Sequence, residues 1–307
     1  MRVLLTGASG YLGRHVLRAL HQQGIETVCV HHKAYVGSLA YETQSADLLS
    51  PDGAQELVSR AKATHLLHLA WYVKHGQYWN SPQNFDWVQA SMRLVDAFCQ
   101  QGGQHVVVAG TCAEYDWNHG FMREDITPYH PNTIYGVCKD ATRRLLQSLC
   151  NMHGVRLAWG HVFFPFGLDE SPERLVPSLI RVFRGEIPAF GVNSGAVRGM
   201  LSVSDAAQAF VKILQHPQAS GAYNICSGFT TRLEEVVRLL AKQCDADPAT
   251  VLKLKSERSG DPAMLLGDNQ RLRSLGWNMQ ISLQQCIHDT FRVQCGSQSL
   301  PNLETQQ

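Results

Sequence analysis

Val3 to Arg14 reads Val-Leu-Leu-Thr-Gly-Ala-Ser-Gly-Tyr-Leu-Gly-Arg, and this stretch constrains the fold more than any other. An apolar run of strand length meets a turn carrying Gly7, Gly10 and Gly13, and an amphipathic stretch from Leu12 to Gln22 follows. A strand, a glycine turn and a helix in that order bring backbone N–H groups and a helix N-terminus to where a pyrophosphate can sit. Glycine is required because a Cβ would hold the phosphate off the backbone or wedge helix from strand. The residues expected to cradle a dinucleotide are Gly7, Ser9, Gly10, Tyr11, Leu12 and Gly13. An ordinary tight turn is the competing reading, and the triplet alone does not separate the two.

Thr27–Val30 follows as a second strand, β-branched and apolar. A site for NAD would place a carboxylate on the ribose hydroxyls at its end. Here the residues are His31, His32 and Lys33, which suit a 2′-phosphate and hence NADP, with NAD as the alternative. A solvated basic loop is the plainer explanation of the same residues. Asp47, with Leu48 beside it, is a candidate contact for the adenine end.

Helix-like and strand-like stretches then alternate: Asp52–Lys62 helical, Thr64–Ala70 a buried strand, Trp87–Gln101 helical, His105–Ala109 a strand. A helix begins near Tyr135 and ends at Gly154, and Val155–Phe164 is another strand. This alternation predicts an α/β fold, a doubly wound parallel sheet of Rossmann type. Ligands bind at the carboxyl edge of such sheets, where Leu69, Ala70 and Trp71 lie. The expected organisation is a dinucleotide domain over residues 1–166 and a smaller substrate lobe, interleaved with it, over 167–295. A polar, disordered tail is expected over 296–307.

Tyr135 and Lys139 stand four apart in a helix, so both project from one face. An ammonium near a phenol favours the phenolate and makes tyrosine usable as an acid or base near neutrality. Thr111, at the exit of the preceding strand, supplies a hydroxyl to the same oxygen. A Tyr-x-x-x-Lys pair alone is usually a surface pair. Its position behind a nucleotide turn reverses that weighting.

Composition narrows the partners. The 307 residues are 44% hydrophobic and 17% charged with a formal net charge of +1, which offers no basis for nucleic acid or an anionic membrane. No apolar run reaches a membrane span, and no signal peptide is expected ahead of the first strand. Nine scattered cysteines without a CxxC pair point to free thiols in a reducing, cytoplasmic compartment. Fourteen histidines form neither HxxxH nor HExxH, so no metal is assigned.

With these motifs in hand, the chain resembles the extended short-chain dehydrogenase/reductases, the branch of nucleotide-sugar epimerases, dehydratases and reductases. The resemblance runs through Thr6–Gly13, Tyr135–Lys139, Arg174–Pro177, Arg198–Asp205, Gly221–Ile225 and Leu275–Trp277, nearly the whole chain. It is nearest to the sugar reductases and epimerases of surface-polysaccharide pathways, which share the Gly-Thr-Cys-Ala-Glu-Tyr and Trp-Tyr-Val segments. The resemblance implies a catalytic triad of Thr111, Tyr135 and Lys139, with Tyr135 and Lys139 also touching the cofactor. It implies nicotinamide-side contacts from Leu69 and Ala70, and a diphosphate clamp at Arg198, a role suited to a planar guanidinium. Cys112 and Phe164 are further substrate-side candidates, and Arg258 is a weaker second clamp.

Three departures qualify it. Dehydratases of this branch carry Asp-Glu after the active-site hydroxyl residue; here Cys112 and Ala113 stand there, so dehydration is not expected. Trp87 and Phe164 replace asparagines of many relatives and make the pocket more apolar. The expected function is NADPH-dependent reduction of the 4-keto group of a nucleotide-activated deoxysugar, in a homodimer pairing through Val88–Phe98 and Ala141–Leu149. Competing readings are a 4-epimerase with tightly held NAD, a reductase of a non-sugar carbonyl, and a non-catalytic NADP-sensing regulator. An intact Tyr-x-x-x-Lys pair counts against the last.

Overall fold

Seven parallel strands form the central sheet of the computed structural model, which describes residues 1–32, 41–254 and 261–296. They are β1 (Arg2–Thr6), β2 (Glu26–His31), β3 (Glu42–Ser45), β4 (His65–His68), β5 (His105–Thr111), β6 (Arg156–Val162) and β7 (Gly221–Ile225). Their spatial order is β7-β6-β5-β4-β1-β2-β3, so the direction of winding reverses between β1 and β4, where ligands bind in such sheets.

Alternation along each strand explains the layers. Val3 and Leu5 enter one core with Cys29, Leu67, Val107 and Ala158. Leu4 enters the other with Val28, Leu66, Val106, Val108 and Trp159. Successive side chains of a strand point to opposite faces, so runs apolar on both faces need cover on both. Helix α1 (Tyr11–Gln22) covers the first face, helped by α6 (Val203–Gln215). Helices α2 (Gly53–Ala61), α3 (Gln83–Gln100) and α4 (Ile134–His153) cover the second. A third core, built from α5 (Leu175–Phe183), helix Leu233–Gln243 and helix Leu283–Gln294, forms the C-terminal lobe. The chain leaves the sheet after β6 and returns to it at β7.

The structure corrects several boundaries. Glu42–Ser45 is a strand that the sequence hides, because this polar edge strand buries almost nothing. Helix α3 begins at Gln83, four residues before Trp87, and β5 runs on to Thr111. Strand β6 stops at Val162, leaving Phe164 outside it with a left-handed φ of 39°. In the C-terminal part, Val197–Arg198 pairs with Thr231–Arg232 and Met264–Gly267. Lys33, Arg258 and residues 297–307 lie outside the described residues. All nine thiols are free. Among the described residues, no helix is long and apolar enough to cross a membrane.

Candidate active site

The glycine turn is held against the end of β4. Gly7 has φ 76°, and a Cβ there would lie 2.7 Å from the Ala70 nitrogen. A Cβ on Gly13 would lie 1.9 Å from the Gly7 carbonyl oxygen. Gly10 caps α1 with no side chain engaged on the first-turn N–H groups. An anion at the helix start therefore meets backbone donors directly, and the residues present fit a dinucleotide pyrophosphate. The Ala70 N–H donates to the Thr6 hydroxyl at 3.3 Å, tying the Leu69–Ala70 segment to the same turn. The buried Tyr11 hydroxyl has no partner among the described residues.

At the ribose end, His32 and Asp47 are both exposed and their side chains lie 3.7 Å apart. His31 closes β2, and Leu48 is buried in the core.

Thr111 closes β5, the Tyr135 phenol interacts with it, and Lys139 reaches the Ala109 carbonyl of the same strand from α4. Thr111 sits in a capping box: its hydroxyl accepts the Ala113 N–H at 3.2 Å, while its own N–H donates to Glu114 at 2.8 Å. The fully buried Glu114 carboxylate also accepts the Trp159 indole N–H at 3.1 Å. Glu114 thus fixes the loop that carries the hydroxyl. The Thr-x-x-Glu spacing was the sequence signal for it.

Helix α4 begins against that loop because Gly136 lacks a side chain; a Cβ there would lie 2.4 Å from the Ala113 carbonyl oxygen. Thr133 caps the helix by accepting the Gly136 N–H at 3.1 Å. Burial raises the Tyr135 phenol above its ordinary range, and a hydrogen-bonding interaction with Thr111 works the other way. This direction is opposite to the lowering expected from a nearby ammonium, because desolvation dominates at Tyr135. Lys139 is buried, donates to the Ala109 carbonyl at 2.8 Å and is pushed down to about 7 by desolvation, with Glu114 opposing.

Aromatic rings wall the pair. Tyr78 and Trp79, on a 3-10 turn at Tyr78–Asn80, meet the Tyr135 ring edge-on at centroid distances of 4.9 and 5.8 Å. Trp71 lies over Lys139, with Trp87 beyond it at 6.3 Å. Two anchoring residues were missed altogether. His68 bridges Thr6 and Ser91 at 2.7 and 2.8 Å, and Asn84 accepts the Trp71 indole N–H. No spacing rule marks either, because their partners come from other elements.

Among the residues expected to face substrate, the buried Arg198 guanidinium lies 5.6 Å from the Phe164 ring and acts electrostatically on Cys112. It is engaged by Asp261 at 2.7 Å and by the Pro262 and Val197 carbonyls at 2.9 Å. Burial pushes the Cys112 thiol up to about 12. Among the described residues, no three His, Cys, Asp or Glu side chains gather as a metal site would need.

Comparison with known proteins gives the site its context. The model of the NAD dependent epimerase/dehydratase family matches residues 3–226. A UDP-glucose 4-epimerase of Azospirillum brasilense is 28% identical, covering 90% of this chain and 86% of that protein. A GDP-6-deoxy-D-mannose reductase of Pseudomonas aeruginosa is 24% identical over 93% of this chain and 94% of that protein. The crystal structure of a Thermus thermophilus UDP-glucose 4-epimerase in complex with NAD superposes with a TM-score of 0.85 at 22% identity, covering 97% of this chain and all of that one.

Proposed function

Given that the chain belongs to the NAD dependent epimerase/dehydratase family, we propose that it reduces the 4-keto group of a nucleotide-activated deoxysugar, using NADPH in preference to NADH. The family comprises NAD(P)-dependent epimerases, dehydratases and reductases. When bound along the Gly7–Gly13 turn, the nicotinamide dinucleotide supplies hydride chemistry. Tyr135 donates its proton to the carbonyl oxygen. Thr111, held by Glu114, donates a hydrogen bond to the developing alkoxide, and the Lys139 ammonium steadies the phenolate left behind.

The observation that carries this reading is the Thr111 hydroxyl beside the buried Tyr135 phenol, with Cys112 and Ala113 where elimination would need an acid and a base. The basic end of β2, with His31 and His32, supports the 2′-phosphate of NADPH, with Lys33 next in sequence. Arg198 and Phe164 are the proposed substrate contacts, Arg198 exchanging Asp261 for a diphosphate. A homodimer is proposed through α4, where Val137, Leu145 and Met152 are exposed on one face.

The test is Tyr135→Phe, assayed as NADPH oxidation with a panel of 4-keto nucleotide deoxysugars. Turnover is expected to fall about 100- to 10,000-fold with NADPH still bound. Undiminished turnover would remove the assignment. A 4-epimerase is the second reading, favoured by the identity to the Azospirillum enzyme. It predicts NAD retained through purification and no net consumption of NADPH.

A further inference from the structure

We propose that Trp71 is a positioning residue for the catalytic lysine: its indole face seats the Lys139 ammonium, and Asn84 fixes that seat by gripping the indole N–H. This inference rests on the assignment of Lys139 to the catalytic site.

The argument begins with what a buried ammonium requires. Lysine has three N–H donors and no acceptor, and a buried charge is costly unless each is answered. Lys139 is 3% exposed. One N–H goes to the Ala109 carbonyl at 2.8 Å. The acid acting on it, Glu114, is already engaged by Thr111 and Trp159 and has Arg143 and His161 within ion-pair range at 3.7 and 3.6 Å. Burial holds His68 neutral and raises the Tyr135 phenol, so neither of these titratable neighbours adds charge. Among the described residues, further support comes from Trp71, whose ring centroid lies 3.9 Å from Nζ, well inside the range of a cation–π contact.

That ring is not free to choose its place. Its N–H donates to Asn84 Oδ1 at 2.8 Å. The Asn84 amide nitrogen donates to the Tyr78 and Ser81 carbonyls at 2.7 and 2.9 Å, so the orientation of this wholly buried amide is determined. Tyr78 in turn packs edge-on against Tyr135. The contacts close a circuit: Lys139 to Trp71, Trp71 to Asn84, Asn84 to the Tyr78 turn, and Tyr78 back to Tyr135. One segment, residues 71–84, braces both catalytic side chains from outside helix α4.

The experiment reads the proton affinity of Lys139 directly, in the free full-length protein, by trace acetylation with acetic anhydride across pH and mass spectrometry of the Lys139 peptide. Proton affinity is expected to fall in the order wild type, Trp71→Phe, Trp71→Leu, about three- to tenfold in the last, because the ring face favours the charged form. Asn84→Ala should move the titration the same way by less and raise the KM for NADPH more than it lowers kcat. An unchanged or raised affinity in Trp71→Leu overturns the proposal, since hydration of the vacated space would then outweigh the ring. If Trp71→Leu fails to fold, Trp71→Phe and Asn84→Ala decide on the same readout. Lys139→Met separates this inference from the functional reading. If NADPH turnover survives that change while the titration still follows Trp71, the functional reading fails and the seat stands. If turnover is lost and the titration ignores Trp71, the seat alone fails.

Discussion

The Thr111 N–H donates to the Glu114 carboxylate at 2.8 Å, closing a capping box at the exit of β5. The hydroxyl expected to meet substrate is therefore held by its own backbone, three residues from the group that holds it. Glu114→Ala leaves the Thr111 and Trp159 N–H groups buried without partners, which should cost about 2–5 kcal/mol in chemical denaturation. Glu114→Gln keeps one acceptor oxygen and should cost less while lowering kcat. Equal stability of Glu114→Ala and wild type would show that the box holds nothing.

The two sides of α1 make a clean contrast in glycine substitutions. Gly13→Ala drives a Cβ to 1.9 Å from the Gly7 carbonyl oxygen, so the pyrophosphate turn must distort. NADPH affinity, followed by fluorescence titration, should fall at least about tenfold. Gly24→Ala meets open space at φ 65° and should cost only about 1 kcal/mol of backbone strain, leaving NADPH affinity unaltered. Matching losses of affinity in the two variants would contradict the placement of the site.

Acid stability should report His68. Burial lowers its pKa from 6.5 to about 3, so the native state keeps it neutral while the unfolded chain takes up a proton. The unfolded state then binds more protons between about pH 6.5 and 3, and stability falls as pH falls through that window. Relative to His68→Asn, wild type should lose about 1.4 kcal/mol more per pH unit there. Parallel stability curves for the two proteins would rule this out.

Cofactor choice should turn on the end of β2. His32→Asp places a second carboxylate beside Asp47, 3.7 Å from the present imidazole. The KM for NADPH should rise about tenfold and that for NADH should fall, as carboxylates repel a 2′-phosphate and accept ribose hydroxyls. A variant that still prefers NADPH by the wild-type margin counts against the 2′-phosphate reading.

The proposed dimer face is tested with Leu145→Glu and Met152→Glu combined. Both side chains are exposed on α4, at 47% and 72%. Light scattering should show a dimer for wild type and a monomer for the double variant, with the thermal midpoint of the monomer fold retained. A monomeric wild type at assay concentrations rejects this partner.

The sequence by itself determined the parallel sheet, the glycine turn and the spacing of Tyr135 and Lys139, because each is written in local pattern. Continuous apolar strands require cover on both faces, glycines mark where a Cβ cannot be accommodated, and a four-residue interval fixes two side chains on one helix face. Glu114 ends a Thr-x-x-Glu spacing, but only the folded loop shows it holding Thr111 and Trp159. The polar strand Glu42–Ser45 was not, since an edge strand that buries little carries no alternation to read. What surrounds Tyr135 and Lys139 was decided only in three dimensions. Arg198 binding Asp261, His68 between Thr6 and Ser91, and Trp71 over Lys139 join residues from separate elements. Burial, which shifts Tyr135 upward and Lys139 downward, is a property of the assembled neighbours and not of the spacing between the two.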